Sequence, residues 1–162
     1  MTVNSRAKLI ALVVAPMVTG SISFVASLMI IIMICRSKTK LSTVYRRLMT
    51  GISLFDLMQS GSQAFSTLPI PANSLIWGSM GNTTTCDLQG FFTVFGVMGA
   101  LLYSLSIGIY FVSIIRFQKS EDYIKKYMEP FFHIVPITYS LFGGIIIYAT
   151  KHINPAGTIC WM

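Results

Sequence analysis

Apolar residues run through this chain in four long blocks, not in the periodic half-faces of a water-soluble fold. The first block spans about 9–35 and ends in Leu28-Met29-Ile30-Ile31-Ile32-Met33-Ile34. The second, 48–70, is less apolar and holds Asp56, Gln59 and Gln63. The third covers 88–115 and the fourth 131–150. A helix crosses hydrocarbon with ~20 apolar residues, and each block reaches that length. The pattern predicts an all-α membrane protein: four transmembrane helices in a bundle, one domain over residues 1–162. Arg6 and Lys8 ahead of the first block look like a signal-peptide n-region. A signal h-region, however, has only about 7–15 residues, so this block reads as an anchored span.

Composition and charge sharpen the picture. Of 162 residues, 54% are hydrophobic and 10% charged, with a mean hydropathy of +0.70. A soluble domain carries about a quarter charged residues. The net charge of +7 is compatible with nucleic acid or with basic loops beside an anionic leaflet, and position decides between them. The segment between blocks one and two carries Arg36, Lys38, Lys40, Arg46 and Arg47 and no acid. That between blocks three and four carries Arg116, Lys119, Lys125 and Lys126 beside Glu121, Asp122 and Glu129. Between blocks two and three, residues 71–89 hold no Lys or Arg. The two basic loops thus hold nine of the twelve cations, which the positive-inside rule makes cytoplasmic. The N-terminus is then extracellular, the expected location is the plasma membrane, and the partner is membrane lipid, with no nucleic acid.

Candidate chemistry is sparse. No phosphate loop, nucleophile motif or Cys/His metal spacing occurs, so no enzyme, cofactor or metal site is expected. Asn82-Thr83-Thr84 is a glycosylation sequon in the loop assigned outside. Cys86 and Cys160 also fall outside, where disulfides persist. A bridge between them would pin the tail to the top of helix three and stabilise by roughly 4 kcal/mol. Cys35 sits at the cytoplasmic end of helix one, as a palmitoylation candidate or a plain thiol. His133 and His152 lie at span ends with no partner that points to a metal.

Asp56 is the sharpest single residue. An ionisable group inside a span is costly and faces the bundle interior. Ser53, Asp56, Ser60 and Gln63 form one helical stripe, with Gln59 at its edge. The stripe reads either as an ion, proton or switch site, or as a carboxyl joining helices by hydrogen bonds. Helix three shows a matching stripe: Gly96, Gly99, Tyr103, Ser106, Tyr110 and Ser113. The two stripes could line a hydrated seam or serve packing alone. Arg116 ends helix three as an interfacial anchor.

Several motifs in order carry a resemblance. They are Tyr45-Arg46-Arg47-Leu48-Met49, Ser53 with Asp56, Pro69-Ile70-Pro71, Gly81-Asn82 and Thr85-Cys86. They continue with Gln89-Gly90-Phe91-Phe92, Leu102-Tyr103, Ile115-Arg116, Glu129-Pro130 with His133, and Cys160-Trp161. From about Gly20 onward the chain resembles a receptor-like group of diatom algae, related to the rhodopsin-like class of seven-helix G-protein-coupled receptors. The resemblance implies a Cys86–Cys160 disulfide and a bundle matching helices one to four of such a receptor. It departs at Phe111, which stands where the class has the Arg of its Asp-Arg-Tyr triplet, and at Ala100, where a sodium-binding serine is expected.

The resemblance implies G-protein-coupled transmembrane signalling. The expected partners are a heterotrimeric G protein at loops 36–47 and 116–130 and a segment or partner supplying further helices. Two other readings stay open: a four-span structural or accessory subunit of a membrane complex, and an oligomeric channel or transporter subunit built around Asp56.

Overall fold

The computed structural model describes residues 3–74, 76–150, 153–156 and 159–161, with the side chains of 3–9 and 156 left aside. Helix α1 runs Val3–Arg36, α2 Val44–Phe65 and α3 Thr83–Ile115. A short α4, Glu121–Tyr123, passes through a π-helical turn, Ile124–Met128, into α5, Glu129–Ala149. Two three-residue strands follow, β1 Asn154–Ala156 and β2 Ile159–Trp161. They pair antiparallel with Pro155 opposite Cys160. The expected fourth span and tail are thus a helix capped by a small hairpin.

Three helices are long and apolar enough to cross a bilayer: Ile10–Arg36, Thr83–Ile115 and Glu121–Ala149. This suits an integral membrane protein. Helix α2 has 22 residues but carries Arg46, Arg47 and Asp56 among serines and glutamines.

Helix ends follow local chemistry. Asn82 caps α3: its Oδ1 accepts from Thr85 N at 2.9 Å, while Thr85 Oγ1 accepts from Asn82 N at 2.8 Å. Thr43 caps α2 and Ser120 caps α4. Helix α2 ends at Phe65, five residues before the sequence pattern placed it. Ser66 takes a left-handed turn (φ 43°) and its N–H bonds Gln63 O. Proline disfavours helix in the residue before it, so Pro69 already stops α2 ahead of Pro71.

Helix α1 packs on α2, α2 on α3, and α3 on α5, with a lighter contact of α2 with α5. The close approaches use small residues. A Cβ at Gly20 would stand 2.8 Å from Ala64 N, and one at Gly96 2.7 Å from Gln59 N, so backbones meet there.

The burial pattern is inverted relative to a soluble protein. Ser53, Ser60, Thr93, Ser106, Ser113 and Ser140 are buried, while Leu101, Leu105, Phe131 and Phe142 are 60–68% exposed. Water would penalise such a surface and lipid does not. The main core joins Val44, Leu48, Phe55, Tyr103, Tyr110, Ile124 and Phe132. A second, smaller core holds Ile70, Cys86, Ile153 and Cys160.

Candidate functional site

Two polar clusters stand at opposite ends of the bundle, and each gathers several of the motif residues. At the end assigned to the cytoplasm, Arg47 forms a fork-to-fork pair with Glu129. Its Nε meets Oε1, and its Nη2 donates to Oε2 at 2.7 Å. Bidentate pairing gives both strength and fixed geometry. Nη1 also donates to Leu41 O at 2.6 Å and Ser42 O at 3.1 Å, tying the basic loop to the helix. The hydrogen bond to Glu129 holds the Arg47 guanidinium above its ordinary pKa.

The network continues inward. Glu129 Oε1 lies 3.6 Å from His133 Nε2, one turn along α5. His133 Nδ1 shares a 2.9 Å hydrogen bond with Tyr103 Oη on α3. The Tyr103 ring lies against Gly51 of α2, where any side chain would collide with it. Four side chains from three helices therefore form one chain of contacts, Arg47–Glu129–His133–Tyr103. Glu121 adds a second tie by accepting from Val44 N at 3.1 Å. The π-helical turn just before Glu129 is a feature frequent at functional sites.

At the other end, Cys86 at the start of α3 is disulfide-bonded to Cys160 in β2, with 5.4 Å between their Cα atoms. Gln89, one turn further along α3 and 5% exposed, is the hub beside it. Its Nε2 donates to Ser62 O at 2.9 Å and Ser66 O at 2.8 Å, and its Oε1 accepts from Cys160 N at 3.1 Å. One side chain thus closes the end of α2 and anchors the hairpin. Ser66 Oγ reaches Val13 O of α1 at 3.1 Å. Thr85 Oγ1 donates to Pro69 O at 2.7 Å, and Gly81 N to Ile70 O at 2.9 Å.

The other expected site residues are dispersed. Ser53 and Ser60 are buried, whereas Asp56 and Gln63 are half-buried. Among the described residues no side chain bonds the Asp56 carboxylate; Ser60 reaches only its backbone oxygen. Tyr103 and Tyr110 are packed in the aromatic core, and Ser106 turns back on Leu102 O at 2.9 Å. The α3 stripe meets α2 at Gly96, Gly99 and Tyr103, which lie against Gln59, Phe55 and Gly51, but among the described residues no side-chain hydrogen bond joins the two stripes. Arg116 and Cys35 are exposed. Asn82 is exposed and serves as the α3 cap. His152 lies outside the described residues. The sequence marks His133 and Gln89 only as members of motifs, without the bonds they make. The i, i+4 spacing of Glu129 and His133, and an amide inside an apolar block, were the available signals. Among the described residues no group of three His, Cys, Asp or Glu could hold a metal.

Comparison with protein-family models, with curated proteins and with solved structures gives no match.

Proposed function

We propose that this chain is the four-helix front portion of a receptor-like membrane protein of the seven-helix class. In this reading it sits in the plasma membrane with its N-terminus outside. It passes an external signal through helix movement to a heterotrimeric G protein at loops 36–47 and 116–130. The observation that carries the reading is the Cys86–Cys160 disulfide, which joins the outer end of α3 to the segment after the fourth helix.

Further observations support it. Helix α2 is read as the remaining span because it lies between α1 and α3 and touches both through Gly20 and Gly96. Its outward side chains Leu54, Met58 and Phe65 are exposed and apolar. The Arg47–Glu129–His133–Tyr103 chain couples three helices at the cytoplasmic end, where a rearrangement would reach a cytoplasmic partner. Asp56, half-buried and without a side-chain partner among the described residues, is available to a further helix.

The test is guanine-nucleotide exchange in membranes from cells expressing the whole open reading frame that contains this sequence. The expected result is basal exchange above mock membranes, altered by Glu129→Ala. Exchange equal to mock for both proteins, with both present in the membrane, overturns the signalling reading. A frame ending at codon 162, with its product bound to other membrane proteins, would instead support the accessory-subunit reading.

A further inference from the structure

Arg46 and Arg47 are neighbours on α2 with opposite fates. Arg47 is neutralised by Glu129 inside the bundle. Arg46 has no carboxylate partner among the described residues. Its Nη1 donates to Ser37 Oγ at 2.7 Å and to Lys40 O at 3.3 Å. Those bonds fix the guanidinium through one nitrogen. Nε and Nη2 bond nothing among the described residues, which leaves a pair of donors unused.

This guanidinium lines a groove of about 430 Å³ between the end of α1 and the start of α2. Ser37 and Tyr45 flank it, and Met33, Ile34 and Met49 form its apolar wall. Tyr45 is held from behind by Tyr110 and Phe111, with ring centroids 6.3 Å and 5.6 Å away. Met33 is 63% exposed and Tyr45 37%. The segment that supplies Ser37 to the groove also carries Arg36, Lys38 and Lys40 and no acid. An apolar wall thus leads into a positively charged mouth, at the level where a spanning helix leaves the hydrocarbon.

We propose that this groove is a binding site for one anionic phospholipid of the cytoplasmic leaflet. The phosphate accepts from Nε and Nη2 of Arg46, with Tyr45 Oη and Ser37 Oγ at its edge, and an acyl chain lies along Met33, Ile34 and Met49. The charge complementarity selects the occupant. An apolar helix would leave the Arg46 charge unanswered, and a zwitterionic lipid brings its own cation to a mouth already rich in them. Guanidinium matches phosphate with two parallel hydrogen bonds, and basic pockets between helices on the cytoplasmic side suit acidic headgroups. The proposal rests on the membrane orientation given above and not on signalling.

The experiment is native mass spectrometry of the full chain purified in detergent, titrated with dioleoylphosphatidylglycerol or with dioleoylphosphatidylcholine. One phosphatidylglycerol adduct per chain is expected at concentrations where phosphatidylcholine leaves none. Arg46→Gln should weaken that adduct about tenfold, and Arg46→Lys less, because charge remains without the fork. Lys125→Gln, an equal charge change in the other basic loop, should leave it intact. Met49→Trp should abolish it by filling the groove without touching a charge, which keeps the test valid should Arg46→Gln misfold. Equal retention of both lipids, equal loss in Arg46→Gln and Lys125→Gln, or no adduct at all would overturn the proposal. Flotation of the chain with phosphatidylcholine vesicles separates these outcomes from failure of the membrane reading, in which the chain would not float.

Discussion

The two ends of the bundle are held by different physics. The end read as outer is closed by a covalent bond and neutral hydrogen bonds: Cys86–Cys160, with Gln89 bridging α2, α3 and β2. The end read as cytoplasmic is held by charge, with Arg47 on Glu129 and His133 passing the contact to Tyr103. Covalent closure does not respond to protons or salt, whereas an ion pair in a partly exposed site does. Helix α3 belongs to both ends. It is therefore the element able to relate a fixed outer end to a responsive inner one.

The strongest loss is expected at the disulfide-closed end. Cys86→Ser removes a bridge between residues 74 apart in sequence and should cost roughly 4 kcal/mol, seen as a lower unfolding temperature in detergent. Reductant should lower the wild type equally and leave the variant unmoved. At the inner end, Glu129→Ala leaves Arg47 without its acid and should cost about 2–3 kcal/mol. Adding Arg47→Ala should cost little more, a non-additivity that a double-mutant cycle reads directly. Gln89→Leu strands two carbonyls and one N–H and should cost about 2 kcal/mol by the same thermal assay. Asn82→Ala removes only the α3 cap, for about 1 kcal/mol. Asp56→Asn, at a half-buried residue with no side-chain partner among the described residues, should stay within about 0.5 kcal/mol. A large loss there would show that Asp56 belongs to a network this comparison leaves out.

The helices were legible because long apolar blocks have few alternatives. Their limits were less so. Pro69-Ile70-Pro71 marks an obvious stop, but the left-handed turn at Ser66 precedes it, and a lone serine gives no periodic signal. The hairpin was invisible because three-residue strands cannot display an alternation. The disulfide could be expected because the charge pattern assigns both cysteines to the same side. The Arg47–Glu129 pair could not, since its partners lie 82 residues apart and each reads locally as one more loop charge. Asp56 shows the converse. It is the most conspicuous residue in the sequence, yet among the described residues its carboxylate has no hydrogen bond, while the Tyr103 hydroxyl of the α3 stripe is taken by His133.

Three cysteines allow the opposed ends and their orientation to be tested together. The measurement is maleimide labelling counted by mass, with an impermeant reagent on intact cells and then a permeant one on the denatured chain. No label is expected on intact cells, since Cys35 lies at the end of α1 read as cytoplasmic and Cys86 and Cys160 are bonded to each other. Denatured protein should take one label without reductant and three with it. Labelling of Cys35 from outside, or three labels without reductant, would contradict the account.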